Sequence, residues 1–129
     1  ARPFLPSMPG VDGACMQLPT TLPTFDELIG VDGRDPAGAA AEVLRLTCAT
    51  PSPAHVFTLH AELEGGKLLP QFEWLVRRWQ EEGFTIVAMR DIAASLDARA
   101  LPRYEVRMGS VAGRSGLLAV QGRRLAPMP

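Results

Sequence analysis

The sequence predicts an α/β fold, because two short apolar runs alternate with two helical patterns in its central part. Residues 55–60 are too short and too rich in β-branched and aromatic side chains to favour a helix, and residues 84–88 form a second apolar run. Helices are predicted over residues 68–82 and 91–96. The order strand, helix, strand, helix is typical of a right-handed βαβ unit in a parallel sheet.

The N-terminal segment shows no periodicity. Residues 1–16 are rich in Pro and Gly, so they are predicted to form a loop whose prolines exclude a helix. Residues 17–22 are predicted to be extended. Pro19 lacks the N–H donor that a central strand needs, which favours an edge or irregular position.

Two helix starts follow. Thr24 and Glu27 have the spacing of a capping box that opens a short helix, and Gly30 can close it. The carboxylates of this segment need no further role. Asp35, followed by a proline, predicts the N-cap of a longer helix that continues to Cys48.

The clearest helix is predicted over about residues 68–82. Its apolar face consists of Leu68, Leu69, Phe72, Leu75, Val76 and Trp79. Pro70 is tolerated in the first turn, and Gly83 stops the helix. Two strands with their helices do not close a sheet, so uncovered sheet edges are expected and must be covered by another chain segment.

Composition limits the class of protein. The chain has 129 residues, of which 47% are hydrophobic and 21% charged, as expected for one modest globular domain. We predict a loop over residues 1–16, a β/α core over 17–100 and a C-terminal tail over 101–129. The net charge of −1, and the absence of basic runs interleaved with aromatics, argue against a nucleic acid partner.

No apolar stretch approaches the roughly 20 residues that span a bilayer, and no signal-peptide pattern is present. Membrane contact would therefore be peripheral or through a lipid-borne substrate. Cys15 and Cys48 lie far apart without CxxC spacing, which indicates reduced thiols in a cytoplasmic protein.

His60 is the main catalytic candidate. It stands at the carboxyl end of the predicted strand over residues 55–60, where side chains project into the mouth of an α/β barrel. A histidine there can move a proton near neutral pH, and a hydrogen-bonded structural histidine is the alternative. His55 begins the same strand at its other end and is predicted to be structural.

Two carboxylates follow His60. Glu62 and Glu64 lie on a glycine-bounded loop, where one could orient the imidazole or bind a polar substrate group. Two solvated acids on a turn are the alternative. The HxExE spacing matches no helix-borne HExxH motif and lacks a third ligand, so no independent metal site is predicted.

The C-terminal tail contains glycines at positions 109, 113 and 116 but no GK[ST] sequence, so a phosphate loop is rejected. Arg107 or Arg114 could bind a phosphate or carboxylate through a bidentate contact. An arginine that ties the tail to the rest of the fold is the alternative.

Three stretches resemble a known family. They are LPTTLPTFDELIG (18–30), VFTLHAELEG (56–65) and VAGRSGLLAVQ (111–121). Together they resemble the 4-deoxy-4-formamido-arabinose-phosphoundecaprenol deformylases of the NodB-type polysaccharide deacetylase superfamily. Ser115 and Leu117 depart from the Glu and Trp usual in that family, which leaves the acyl group and sugar open.

The resemblance implies the C-terminal half of a distorted (β/α) barrel. In the intact enzyme a divalent metal, zinc or similar, held by Asp and two His would polarise the formyl carbonyl and its bound water. An Asp would take the water's proton, and His60 would protonate the leaving amine or stabilise the oxyanion. Glu62, Glu64 and Arg114 are the expected substrate-binding residues. The product would be a lipid-linked 4-amino-4-deoxyarabinose, used to modify lipid A and to blunt cationic antimicrobial peptides.

The family's metal-binding motifs lie before the point that matches Ala1, so this chain is expected to contain no cofactor site. We expect it to be inactive alone and to pair with the missing N-terminal half of the barrel or with a second copy. The expected location is the cytoplasm, at the inner face of the bacterial inner membrane. Alternatives are a non-catalytic binding or oligomerisation module and a polysaccharide deacetylase of another specificity.

Overall fold

The computed structural model describes residues 2–52 and 54–126, apart from the side chain of residue 12. It divides into two compact units. One contains the residues up to Pro19 together with those from Val87 onward, and the other is Thr20–Ile86. The first unit contains the β-sheet and the second contains the two longest helices of the described residues, so the fold is mixed α/β.

The secondary structure elements are as follows. The strands are β1 (Leu5–Met8), β2 (Val11–Asp12), β3 (Arg103–Gly109) and β4 (Leu118–Arg124). The α-helices are α1 (Phe25–Leu28), α2 (Pro36–Ala49), α3 (Leu69–Glu81) and α4 (Met89–Ala94). Short 3₁₀ turns lie at Val31–Gly33 and Ala98–Ala100, and a π-type turn lies at Leu63–Lys67.

The sheet of the first unit has the strand order β2-β1-β3-β4. Strand β1 is parallel to β3, and the other two pairings are antiparallel. The prediction of a loop over residues 1–16 is therefore wrong for β1 and β2. Pro6 is tolerated inside β1 because its carbonyl, which accepts from Gly13 N–H at 2.9 Å, faces the side of the two-residue β2. Its missing N–H costs little on that side.

The second unit is held together by a continuous apolar core. Its buried members are Leu22, Phe25, Ala39, Ala40, Val43, Leu68, Leu75 and Trp79. Phe57 packs between Phe25 and Trp79, with ring centroids 5.5 and 5.6 Å apart, in tilted and edge-to-face geometry. The ring of Trp79 also donates from Nε1 to Thr47 Oγ1 at 3.1 Å, which satisfies the indole N–H inside the core.

The three helices predicted after residue 34 are confirmed, and their observed ends lie within two residues of the predicted ones. Asp35 caps α2 by accepting from Gly38 N–H at 2.7 Å, with proline at the first helical position. Helix α3 buries Leu75 and Trp79, and Gly83 adopts a positive φ of 85° just beyond its end. Helix α4 begins two residues earlier than predicted.

The strands predicted over residues 55–60 and 84–88 are wrong for this chain: neither is a strand in the described structure. The reason is that a strand needs a hydrogen-bonded neighbour. Residues 55–60 form no ladder: the Val56 carbonyl accepts from the N–H groups of Thr21 and Leu22, and the Val56 N–H donates to the Thr21 hydroxyl. The apolar residues Phe84, Ile86 and Val87 are exposed instead of buried. The predicted βαβ unit is therefore not formed.

The predicted tail over residues 101–129 contains regular structure, since β3 and β4 form an antiparallel hairpin with an irregularity between Tyr104 and Val106. Among the described residues, no helix combines the length and the apolar character that crossing a bilayer requires.

Candidate active site around His60

The turn after His60 is organised by backbone hydrogen bonds to that residue. The carbonyl of His60 accepts from the N–H groups of Leu63 and Glu64, both at 2.9 Å. Leu68 N–H then donates to the Leu63 carbonyl at 2.9 Å and leads directly into α3. The histidine is thus held at the entrance to a helix that packs into the apolar core of its unit, a firm support for a functional side chain.

Glu64 supports this turn from inside the protein. Its side chain is 1% exposed, and its Oε2 accepts from the His60 backbone N–H at 2.7 Å. A charge-assisted hydrogen bond of this length is among the stronger ones in proteins. Glu62 is exposed. The alternative of two solvated acids is therefore wrong for Glu64, whose carboxylate fixes the backbone at His60.

The imidazole of His60 faces a carboxylate from another element. Oδ1 of Asp26, in α1, lies 3.5 Å from His60 Nδ1. This distance is longer than a good N–H···O hydrogen bond, but catalytic contacts often tighten only when substrate binds. Both side chains are partly exposed, 38% for Asp26 and 29% for His60. The pair is therefore open to solvent or to a ligand.

The arrangement can support proton transfer. A carboxylate next to Nδ1 favours a proton on that nitrogen and leaves Nε2 to exchange a proton with a bound molecule. Sequence reasoning missed Asp26, whose carboxylate was given no role beyond the helix start. The signal was present, because Asp26 belongs to the aromatic-Asp-Glu segment that carries part of the resemblance.

Comparison with known proteins indicates what the chain is similar to. No family model matches the chain. It is 34% identical over 118 residues to the "Probable 4-deoxy-4-formamido-L-arabinose-phosphoundecaprenol deformylase ArnD" of Shewanella sediminis (strain HAW-EB3), covering 92% of this chain and 36% of that protein. It is 29% identical over 106 residues to the protein of the same name from Wigglesworthia glossinidia brevipalpis, covering 82% of this chain and 36% of that protein. The chain is a homologue of these deformylases.

The resemblance predicted from the three sequence stretches is thereby confirmed. The chain spans about a third of the length of the deformylases it matches. The described structure of this deformylase homologue is mixed α/β, as a part of an α/β domain would be. A barrel is not formed by the four-stranded sheet that it contains.

Arg114 belongs to the unit that contains the β-sheet, and His60 belongs to the other unit. It ends a turn in which its N–H donates to the Val111 carbonyl at 3.1 Å, and it is exposed. Gly113 and Gly116 adopt positive φ angles of 80° and 78°. The glycines of this tail are therefore explained by turn geometry.

Both ring nitrogens of His55 have polar partners, one in the preceding loop and one in the segment at Thr21. Nε2 donates to the Thr50 carbonyl at 3.1 Å, and Nδ1 lies 3.3 Å from Thr21 Oγ1. Its ring is thus engaged away from His60, as a structural histidine would be.

The donor set around His60 is smaller than a metal centre needs. Within residues 2–52 and 54–126, no group of three His, Cys, Asp or Glu side chains converges so that it could hold an ion. Asp26 and His60 supply two donors, one fewer than the usual three protein ligands of a catalytic zinc. The described residues alone therefore do not fit a metal centre.

Proposed function

We propose that this chain is the C-terminal portion of a carbohydrate N-deformylase or deacetylase that acts on a lipid-linked formamido sugar. The observation that carries the proposal is the 34% identity to a protein named as such a deformylase, in a chain that places a carboxylate beside His60. The proposed substrate is undecaprenyl-phosphate 4-deoxy-4-formamidoarabinose. Its product would serve lipid A modification.

In the proposed reaction, water gives a proton to an Asp outside this chain and adds to the formyl carbonyl, and the C–N bond then breaks, releasing formate and the amine. His60 gives the proton from Nε2 to the departing nitrogen, since an amine leaves poorly as an anion. Asp26 holds Nδ1 and stabilises the charged ring. Glu64 keeps the backbone of His60 in place through its 2.7 Å hydrogen bond.

Substrate contacts are proposed for Glu62, Glu64 and Arg114. Glu62 and Arg114 are exposed and can meet sugar hydroxyls or a phosphate. Glu64 is buried, so its contribution to binding would be made through the position of the turn. The divalent metal expected for the family is proposed to come with residues outside this chain, and a peripheral membrane contact at the inner face of the bacterial inner membrane would bring the lipid-linked substrate.

The test uses two proteins: the 129-residue chain alone, and a chimera in which it replaces the segment that it matches in the Shewanella sediminis deformylase. We expect the chain alone to be inactive with added metal and the chimera to release formate from an N-formylated sugar. His60→Asn in the chimera should lower kcat by roughly 10²-fold to 10⁴-fold, the usual worth of general acid catalysis.

Two results would contradict the proposal: turnover by the isolated chain, or a chimera with His60→Asn that is as active as its parent. Product analysis with matched N-acetyl and N-formyl sugars separates a deformylase from a deacetylase of another specificity.

A second candidate function is a non-catalytic docking or oligomerisation module. It is motivated by the exposed apolar residues Phe84, Ile86 and Val87, which follow α3 without a strand partner among the described residues. A partner strand would cover them. Sedimentation of the purified chain decides this candidate, because a folded monomer at high concentration argues against a self-docking module.

A further inference from the structure

Charge is unevenly distributed along this chain. Residues 106–129 contain four arginines and no Asp or Glu, whereas the remaining residues contain nine basic and fourteen acidic side chains. The net charge of −1 is therefore the sum of a basic segment, residues 106–129, and an acidic remainder. It comprises the end of β3, the whole of β4 and the loop between them, so the excess charge is concentrated on one hairpin.

The tip of this hairpin, residues 107–118, also exposes large apolar side chains. Met108 is 60% exposed, Leu117 63% and Leu118 39%. The register places them at the same end of the ladder, because Met108 pairs with Ala119 and Gly109 pairs with Leu118. Single exposed apolar residues are normal, but three at one tip need an explanation.

Arg107 and Arg114 belong to the same tip, and both are exposed. The acidic residue of the hairpin, Glu105, lies in β3 before Arg107 and outside the tip. Its carboxylate is 3.5 Å from Arg123 Nε. The tip therefore combines apolar side chains and positive charge with no carboxylate of its own. This combination distinguishes it from the exposed apolar run over residues 84–87, which contains no basic residue.

We propose that the tip of the β3–β4 hairpin, residues 107–118, is a docking element for an anionic lipid surface. Apolar side chains enter the boundary between headgroups and acyl chains, while arginines bind lipid phosphates, and the two effects add. Successive strand residues point to opposite faces of the hairpin. A hairpin that enters with its tip first therefore places the side chains of both faces in this boundary. Insertion is shallow, since the polar backbone of the tip must stay hydrated.

A nucleic acid fits the tip less well. Its apolar residues are aliphatic, and residues 107–118 contain no aromatic side chain on which a base could stack.

The docking of the tip to anionic lipid agrees with the lipid-linked substrate proposed above, but it is argued from the charge and exposure of the hairpin. It is measured by lipid binding without turnover, so it can fail while the proposed function stands.

The test is co-sedimentation of the 129-residue chain with two kinds of vesicle. One is phosphatidylcholine alone, and the other also contains about 30% phosphatidylglycerol, which makes its surface strongly anionic. We expect binding to the anionic vesicles only. Replacing Arg107→Gln and Arg114→Gln together should weaken it roughly tenfold or more. The matched control replaces Arg90→Gln and Arg99→Gln, exposed arginines outside the hairpin, and should bind normally.

The apolar contribution has its own pair of variants. Leu117→Ser with Leu118→Ser should weaken binding to the anionic vesicles by a similar factor, while Val31→Ser with Ile86→Ser, also exposed, should not. Brominated lipid should quench the added fluorophore of Leu117→Trp but not that of Ile86→Trp. This readout reports insertion even if a serine variant is unstable.

Several outcomes would overturn the proposal. Equal binding to neutral and anionic vesicles, or equal losses in the control variants, would remove the role of the tip. A loss with the arginine variants but not with the leucine variants, together with equal binding to single-stranded RNA, would indicate adsorption to any polyanion. Self-association that depends on Leu117 and Leu118 would assign the tip to a second copy of the chain.

Discussion

Asp26 in α1 and His60 at the entrance to α3 bring a carboxylate and an imidazole to 3.5 Å, although they are distant in sequence. The contact depends on the packing of α1 into the same core as α3, because Phe25, next to Asp26, is fully buried there. A change at Asp26 should therefore act on His60 without unfolding the unit.

In the active chimera, Asp26→Asn should lower kcat roughly tenfold or more, but less than His60→Asn, because an amide cannot stabilise the charged ring. KM should change little. Asp32→Asn is the matched control: Asp32 is exposed, and Asn tolerates its positive φ of 53°. Equal kcat for Asp26→Asn and Asp32→Asn would refute a role for Asp26.

Glu64 gives a stability prediction for the 129-residue chain. Glu64→Ala leaves the part-buried His60 N–H without its 2.7 Å partner and should lower the free energy of unfolding by about 1–3 kcal/mol. Glu64→Gln keeps an acceptor oxygen and should cost less. Urea unfolding measures both. Glu62→Ala, at an exposed position, should change little, and a cost as large as that of Glu64→Ala would refute the special role of Glu64.

Leu75 is fully buried in the middle of α3, so Leu75→Ala should create a cavity and lower the free energy of unfolding by about 2–5 kcal/mol. Leu69→Ala is the control on the same helix, because Leu69 is 40% exposed. Urea unfolding curves of the two variants should differ clearly in midpoint. Similar midpoints would mean that α3 is not packed as described.

The indole N–H of Trp79 has its hydrogen-bond acceptor in the hydroxyl of Thr47. Thr47→Val removes the acceptor of Trp79 Nε1–H and should lower the free energy of unfolding by about 1–3 kcal/mol, the cost of an unpaired buried donor. Thr47→Ser keeps the oxygen and is the control. Fluorescence should report the change, since Trp79 emission senses this contact. Equal unfolding midpoints for Val and Ser would show that the hydrogen bond contributes nothing.

Glu42 gives a pH prediction. The guanidinium of Arg45, which donates to its carboxylate at 2.8 Å, lowers the pKa of Glu42 below its ordinary 4.5. A carboxyl with a lower pKa in the folded state stabilises the protein above its unfolded pKa, and this contribution is lost as pH falls through the folded pKa. Glu42→Gln should therefore lower the urea midpoint slightly at pH 7, and the difference should vanish at pH values well below 4.5.

Because Glu42 and Arg45 form a surface pair, the difference at pH 7 should also shrink in high salt. Glu73→Gln is the exposed control on α3. A Glu42→Gln effect that persists unchanged at low pH would mean that it does not arise from the ion pair.

Local patterns in the sequence determined the helices. The cap at Asp35, the apolar stripe of α3 and the glycine at its end are set by interactions within a few residues, so they could be predicted without the fold. The family resemblance was likewise readable, because it depends on short stretches of residue identity. The candidate histidine was found in the same way.

Tertiary structure decided the rest. Strand β1 exists because β3, about a hundred residues later, supplies its hydrogen bonds. Residues 55–60 and 84–88 have strand-like composition but no ladder partner in the described chain, and composition cannot supply one. The burial of Glu64 and the approach of Asp26 to His60 depend on the packing of segments distant in sequence, which no local pattern encodes.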